Sequence, residues 1–335
     1  MSSARISNNS GPRILVVRLG AMGDIIHTLP AVASLKHSFP GCRLTWLVEA
    51  PWAPLLDRNP YVDRITIVRR ENPGAWMRTC RELRREHFDF AVDFQGLLKS
   101  AFAATMARPD RIYGFRRSRE TPAALFYSNR AATRAVHKVE QNLELAAAAG
   151  AVGILRTFPV PEGVPEGELP ETPFVLASPL AGWRSKQWPM PFYSQLAERL
   201  RKDLGLKLVL NGPPGFLSRD GEGADVLSGP IPHFSGLPGL IHATRRAAAV
   251  IGLDSGPLHL AAALEKPGVA IYGPTDPAIN GPYGETITVL RSPRAVTSYK
   301  RSSGIDPSMR EIDPGHVFHA LVAQLACRPA GCAAE

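Results

Sequence analysis

The segment IGLDSGPLHLAAALEKPGVAIYGPTDP, residues 251–277, contains two strand–loop units in succession. An apolar run, Ala248 to Leu253, ends in Asp-Ser-Gly-Pro, and a helix of small residues begins directly afterwards. A second run, Val269 to Tyr272, ends in Gly-Pro-Thr-Asp-Pro. Consecutive parallel strands bring their following loops to one edge of a sheet, where open α/β sheets bind ligands. A helix that starts near Pro257 offers free amides and a positive dipole end, which suit a phosphate.

A simpler interpretation of this segment is an ordinary strand–turn–helix capped by Asp254 or Ser255. A matching segment near the other end of the chain favours a ligand site instead. RILVVRLGAMGDIIHTLPAVASLKHSFPG, residues 13–41, predicts a buried strand over Ile14–Val17, a glycine-bearing turn, and a helix from Ile25 onward.

Asp24 lies where this turn passes into the helix. It is either a helix cap or a carboxylate at the carboxyl end of a strand, facing whatever the C-terminal half binds. The spacing Gly20-x-x-Gly23 differs from the G-x-G-x-x-G dinucleotide fingerprint. A nicotinamide-dependent dehydrogenase is therefore the last of the alternatives, supported only by Glu49 at the end of the next strand-like run.

The composition is that of a globular enzyme. A length of 335 residues allows two domains, and 44% of residues are hydrophobic and 21% charged. No apolar run reaches the ~18 residues needed to span a bilayer, and the N-terminal residues lack the apolar core of a secretory signal, so we expect a cytoplasmic protein. The four cysteines, Cys42, Cys80, Cys327 and Cys332, form no C-x-x-C pair, and neither zinc nor a disulfide framework is expected.

The formal net charge of +9 points to an anionic partner. Arginines are concentrated between residues 58 and 134. Nucleic acid is not expected, because the run lacks interleaved aromatic residues and any nucleic-acid-binding module. An anionic substrate, an anionic membrane surface and a merely solvated basic face stay open at this point.

The chain alternates strand-like and helical runs in two halves, which predicts parallel sheets covered by helices. The expected domains are 1–158 and 174–310, joined by a proline- and glycine-rich linker over 159–173. An amphipathic helix over 311–327 can pack back on either domain, the N-terminal one included. Two such α/β domains predict an interdomain cleft as the ligand site.

Six segments in order resemble the ADP-heptose:lipopolysaccharide heptosyltransferases, glycosyltransferase family 9, and within it the heptosyltransferase I branch, which acts on the Kdo–lipid A inner core. They are RLGAMGDIIHTLPAV (18–32), DFQGLLKSA (93–101), SRETPAALFYSNR (118–130), SKQWP (185–189), GLDSGPLHLAAAL (252–264) and YGPTDP (272–277). The resemblance implies a GT-B fold, in which two Rossmann-like domains face each other across a central cleft. It also implies an inverting transfer of heptose from ADP-heptose to Kdo.

The resemblance implies roles for individual residues. Asp24 matches the family's catalytic base, with His27 or Lys99 as expected partners, and Lys186 matches its phosphate-contacting lysine. The implied donor-binding residues are Arg184, Asp254, Ser255, Gly256, Pro257, Leu258, His259, Thr275 and Asp276. The implied acceptor-binding residues are Gly23, Gln95, Lys99, Arg116 and Arg119, with Arg69 and Arg70 as further candidates.

The resemblance also implies no cofactor: ADP-heptose is the donor substrate, and Mg²⁺ is at most a non-essential addition. The expected partners are Kdo–lipid A and the anionic inner face of the inner membrane, where the enzyme binds peripherally. The chain departs from the family pattern after residue 210, where neither Asp220 nor Glu222 aligns with the ribose-contacting acid. Two alternatives stay open: a family 9 transferase for another acceptor, such as heptose II or a surface glycan, and a non-catalytic nucleotide-sugar-binding protein.

Overall fold

The computed structural model describes residues 11–69, 73–213, 215–216 and 229–326. The chain divides into two compact units, Met1–Pro161 and Glu162–Glu335. This boundary lies inside the segment 159–173 that the sequence predicts as a linker. Of the residues named above, Arg70, Asp220, Glu222, Cys327 and Cys332 lie outside the described residues.

Most of the expected linker is attached to the second unit. The Glu166 carboxylate accepts a hydrogen bond of 2.6 Å from the Gly236 amide, and the Val164 amide donates to the Pro238 carbonyl at 3.1 Å. The segment is therefore held by specific hydrogen bonds over at least part of its length.

The first unit contains a parallel six-stranded sheet. Its strands are β1 (Arg13–Val17), β2 (Arg43–Glu49), β3 (Arg64–Val68), β4 (Phe90–Asp93), β5 (Arg111–Phe115) and β6 (Asn129–Ala131). They pair in the order β3-β2-β1-β4-β5-β6. The helices are α1 (Met22–Ile26), α2 (Leu29–Ser38), α3 (Pro73–Arg84), α4 (Leu98–Met106) and α5 (Lys138–Ala148). The strands β1 and β4 are neighbours, but β1 is followed in the chain by β2 on one side and β4 by β5 on the other. The loops after β1 and β4 therefore run in opposite directions at the carboxyl edge, and a crevice opens between them.

The second unit repeats this arrangement. Its strands are β7 (Phe174–Ala177), β8 (Lys207–Gly212), β9 (Ile231–Phe234), β10 (Ala249–Leu253), β11 (Gly268–Tyr272) and β12 (Ile287–Arg291), in the order β12-β11-β10-β7-β8-β9. The helices are α6 (Met190–Leu204), α7 (Leu237–Arg246), α8 (Gly256–Ala263), α9 (Pro277–Asn280), α10 (Pro307–Arg310) and α11 (Pro314–Ala326). The order reverses between β7 and β10, so the loops after these strands flank the corresponding crevice.

Burial on both faces explains the parallel sheets. Every residue of β10 is buried, as is every residue of β1 after Arg13. Such continuously apolar strands need helices on both sides. The final helix α11 lies in the second unit, where Val317 and Leu321 share a buried cluster with Leu196 of α6.

The structure differs from the sequence-based expectation in the division of one helix and in several elements that were not predicted. The helix expected from Ile25 onward is two helices, because Pro30 has no amide to donate to the Ile26 carbonyl. The strands β6, β9 and β12 and the helix α5 were not predicted from the sequence. Two of these strands, β6 and β9, have only three and four residues. Within the described ranges, no helix combines the length and apolarity that crossing a membrane requires.

Candidate active site

Asp24 is held by a buried arginine at the carboxyl edge of the first sheet. The Arg18 guanidinium lies 2.7 Å from Asp24 Oδ1, and the two side chains are 8% and 27% exposed, respectively. Val17 pairs with Asp93 in the sheet register, which places Arg18 beside Phe94, and Arg18 Nη1 donates to the Phe94 carbonyl. Arg18 therefore holds the Oδ1 atom of Asp24 in place, while the carboxylate as a whole stays partly exposed to solvent.

Two further cations act on this carboxylate. Arg119 Nη1 lies 3.9 Å from Asp24 Oδ2. Lys138, the first residue of α5, is half-buried and donates to Gln141 Oε1 at 2.9 Å. Burial lowers the pKa of Lys138, the charges of Arg18 and Arg119 lower it further, and Asp24 opposes the shift. The site is thus net positive, with one carboxylate among three basic groups.

The loop after β1 is braced by Gln95. Its side-chain carbonyl accepts hydrogen bonds from the Leu19 amide at 3.0 Å and the Gly20 amide at 3.3 Å. A Cβ at position 20 would lie 2.6 Å from Trp52 Nε1, so any larger residue there would have to displace the Trp52 ring. Gln95, an expected acceptor ligand, is buried and shapes the loop that precedes Asp24.

A buried carboxylate organises the loop after β4. Asp93 accepts hydrogen bonds from the Tyr127 hydroxyl at 2.7 Å, the Ser100 hydroxyl at 2.8 Å and the Gln95 amide at 2.9 Å. Burial raises the pKa of Asp93, and these hydrogen bonds oppose the rise. The group therefore supports the site through its neighbours and does not face solvent.

The structure brings only some of the predicted acceptor residues close to Asp24. Gly23 lies next to it in α1, and Arg119 faces it. Lys99, an expected partner, lies 3.8 Å from Glu49 Oε1 instead, and Arg116 is exposed just after β5. The rings of His27, the other expected partner, and His137 meet edge to face, with centroids 5.5 Å apart.

In the second unit, Lys186 and Asp254 form an ion pair across the crevice between β7 and β10. Lys186 Nζ donates to Asp254 Oδ2 at 2.9 Å and to the Asp254 carbonyl at 2.8 Å. Both side chains are nearly buried, at 13% and 10% exposed. An ammonium has three N–H groups, so these two contacts leave one for a phosphate oxygen.

The helix α8 starts beside this pair. Pro257 occupies its first turn, and the Ser255 hydroxyl donates to the Leu253 carbonyl at 3.3 Å. The Ser255 side chain does not cap α8, Pro257 has no amide hydrogen, and the Leu258 amide donates to the Ser255 carbonyl at 3.2 Å. The start of α8 therefore offers an anion the positive end of the helix dipole. Leu258 and His259 are buried inside the unit, and Arg184 is exposed.

The loop after β11 is next to the loop after β10 at the carboxyl edge of the second sheet, because β11 pairs with β10. Thr275 is buried, and Asp276 caps α9 by accepting from the Ala278 amide at 2.9 Å. Burial raises the pKa of Tyr299, and the nearby charges of Asp276 and Asp254 raise it further. Asp276 therefore has a structural role as the cap of α9, and its charge acts on Tyr299 together with that of Asp254.

Four residues of these two edges escaped the sequence-based interpretation: Arg18, Asp93, Lys138 and Arg301. The Arg301 guanidinium lies 5.7 Å from the Trp183 ring centroid, and Lys186 Nζ lies 4.8 Å from the same centroid. Arg18 and Asp93 each come at the end of an apolar strand, and a polar residue in that position is a sequence signal for a site residue. Lys138 and Arg301 had no comparable local signal.

The described residues contain one group with the spacing of metal ligands. His87, Asp89 and Asp110 are all exposed, with ligand atoms within 4.8 Å of one another. Asp89 and Asp110 precede β4 and β5, so the group lies at the amino edge of the sheet, opposite Asp24. Because this group is exposed and lies at the opposite edge of the sheet, it is not part of the site around Asp24.

Two parallel sheets, each with polar loops at its switch point, define a nucleotide-binding class of α/β protein. The family model described as "Glycosyltransferase family 9 (heptosyltransferase)" matches residues 76–305. The chain belongs to glycosyltransferase family 9. The match includes Lys186 and the start of α8, while Asp24 precedes it.

Named relatives and a solved structure agree with this family. Lipopolysaccharide heptosyltransferase 1 of Pseudomonas aeruginosa is 32% identical over 309 residues, covering 84% of each chain. The Escherichia coli K12 protein of the same name is 30% identical, covering 84% of this chain and 94% of its own. The structure of E. coli heptosyltransferase WaaC with ADP-2-deoxy-2-fluoro heptose has a TM-score of 0.73 and 25% identity, covering 93% of this chain and 99% of that one.

Proposed function

We propose that this chain is an inverting glycosyltransferase that moves heptose from ADP-L-glycero-D-manno-heptose to Kdo of the lipid A inner core, a step of lipopolysaccharide biosynthesis. The observation that carries the proposal is the Arg18–Asp24 pair at 2.7 Å, since it presents an oriented carboxylate at a ligand-binding edge. The names of the relatives support the heptose donor and the first acceptor of the core.

Asp24 acts as the general base. Its carboxylate accepts the proton of the acceptor hydroxyl while that oxygen attacks the anomeric carbon from the side opposite the diphosphate. The attack inverts the configuration, forms the new C–O bond and breaks the bond to ADP. Arg18 is a positioning residue in this scheme, because it binds Oδ1, while Oδ2, which has Arg119 at 3.9 Å, is the oxygen proposed to accept the proton.

Lys186 and α8 bind the leaving diphosphate. Negative charge grows on the departing phosphate, and an ammonium together with the positive end of the α8 dipole stabilises it. Asp254 orients Lys186 through its 2.9 Å contact, and a carboxylate so engaged can also accept from sugar hydroxyls. Arg184, Ser255, Gly256, Pro257, Leu258, His259, Thr275 and Asp276 complete the proposed donor site. The scheme needs no metal, and Mg²⁺ on the diphosphate would be an accessory.

The basic groups around Asp24 receive the acceptor. Kdo carries a carboxylate and lipid A carries phosphates, and guanidinium and ammonium groups bind both. Arg116, Arg119 and Lys99 are the proposed ligands, while Gly23 and Gln95 shape the loop. An acceptor that is part of a bilayer requires the enzyme to bind peripherally, on the inner face of the inner membrane.

The test uses purified protein, ADP-heptose and Kdo–lipid A, with ADP release and product mass as readouts. Asp24→Asn should lower kcat by about 10²–10⁴-fold, as removal of a general base does, and leave calorimetric binding of ADP-heptose intact. Asp57→Asn, an exposed aspartate of the same unit, is the matched control. A heptosylated core is offered as the rival acceptor.

Three results would contradict the proposal. Retention of most turnover in Asp24→Asn would remove the base assignment. Transfer only to the heptosylated core would assign a different acceptor. Binding of ADP-heptose without ADP release on any acceptor would point to the non-catalytic alternative.

A further inference from the structure

Five large apolar side chains are exposed on three elements of the first unit that pack on one another. They belong to α3, α4 and the short helical segment Thr121–Phe126: Met77, Leu98, Phe102, Leu125 and Phe126. We call this set the apolar ridge. Leu125 is the most exposed of the five, at 76%.

The ridge is continuous because its three elements pack on one another. Trp76 of α3 stacks on Phe102 of α4, with ring centroids 6.4 Å apart. The segment Thr121–Phe126 packs against α4, and Glu120 just before it accepts a hydrogen bond of 2.7 Å from the Leu98 amide. The exposed apolar side chains therefore belong to one packed group of elements.

Exposed basic side chains surround the ridge. On α3 they are Arg78 and Arg81, and before Thr121 they are Arg116, Arg117 and Arg119. The acids of the same elements are engaged within the unit, since Glu82 and Glu86 bind Arg64 and Glu120 binds the Leu98 amide. The surface thus offers net positive charge around an apolar centre.

We infer that the apolar ridge and its arginines are the surface by which this protein binds an anionic bilayer. Apolar side chains that enter the headgroup region and cations that meet acidic lipid are the two contributions that hold a peripheral protein on a membrane. This inference builds on the proposed function and names the surface that function requires. The ridge begins with α4 at the carboxyl edge, where Arg119 also faces Asp24, so a lipid-anchored sugar can reach Asp24 while its acyl chains stay in the bilayer.

The experiment is sedimentation of the full chain with vesicles of equal parts phosphatidylglycerol and phosphatidylethanolamine, compared with vesicles of phosphatidylcholine. Leu125→Glu should lower the partition coefficient by at least about tenfold, since it removes an apolar group and adds a charge of the wrong sign. Arg78→Glu with Arg81→Glu should lower it by a similar factor. Val152→Glu is the matched control, because Val152 is 88% exposed and follows α5, which packs on α2 away from the ridge.

The outcomes separate the surface from the chemistry. The inference is supported by three results together. Vesicle binding is lost in both ridge variants, the control binds vesicles like the wild type, and the ridge variants keep the wild-type rate of transfer to a deacylated, water-soluble acceptor. Ridge variants that bind like the wild type would overturn it, as would binding that is indifferent to lipid charge. Vesicle binding without transfer to any acceptor would leave the surface assigned and refute the proposed function.

Discussion

Replacing Arg18 tests whether the orientation of Asp24 depends on the buried guanidinium. Removing one partner of a fully buried ion pair costs about 3–5 kcal/mol. Asp24 is 27% exposed and can be rehydrated, so we expect Arg18→Ala to lower the free energy of unfolding by less, about 2–3 kcal/mol. Urea denaturation measures this value. Arg156→Ala, which removes an exposed pair with Glu140, should cost less than about 1 kcal/mol.

The effect on turnover follows from geometry. A carboxylate that is free to rotate spends less time facing the acceptor hydroxyl, and a displacement of about 1 Å can cost about 100-fold in rate. We expect Arg18→Ala to lower kcat by about this factor, with little change in KM for ADP-heptose. Arg18→Lys should recover part of the loss, since lysine keeps the charge but not the planar fork.

A double-mutant cycle with Asp24→Asn decides how Arg18 acts. If Arg18 works only through Asp24, its removal should have little further effect on kcat in the Asp24→Asn background. Steady-state ADP release on the four proteins measures this. The reasoning is refuted if Arg18→Ala alone stays within about threefold of the wild-type kcat, or if the two losses multiply.

The remaining predictions concern two lysines. Lys186→Ala should weaken ADP binding, measured by calorimetry, by about 10- to 100-fold, because a charge-assisted hydrogen bond is lost and the Asp254 carboxylate is left without its ammonium partner. The control variant Lys202→Ala removes an exposed lysine and should bind ADP like the wild type. Equal ADP affinities of the two variants would exclude a phosphate-binding role for Lys186. The pKa of Lys138 is lowered in the folded state. Between that lowered pKa and the ordinary value of 10.5 the folded chain binds fewer protons than the unfolded chain, so this group makes stability rise with pH in that interval. Lys138→Met should therefore stabilise the protein at neutral pH, by an amount that shrinks as the pH approaches 10.5, and urea titrations that show the same difference at both ends would contradict this.

Local patterns determined much of the fold. Apolar runs such as Ile14–Val17 and Ala249–Leu253 identify buried strands because burial on both faces excludes polar residues. The polar loops after them identify the ligand-binding edges, since a parallel sheet gathers its carboxyl ends. Short edge strands carry no such signal: β6 is Asn-Arg-Ala with two of its three residues exposed, and only pairing with β5 makes it a strand.

The candidate site was predictable only in part, because motifs name residues and not their partners. The sequence pattern pointed to Asp24 and the loop from Asp254 onward, and the family resemblance added Lys186. The tertiary structure decided that Arg18 holds Asp24 and that Asp254, 68 residues from Lys186 in the chain, binds its ammonium. It also decided that Lys138 lies close enough to Asp24 to interact with its charge and that α11 belongs to the second unit. Hydrophobic periodicity is a property of neighbouring residues, whereas an ion pair depends on which distant strands lie side by side, and that is set only when the sheets assemble.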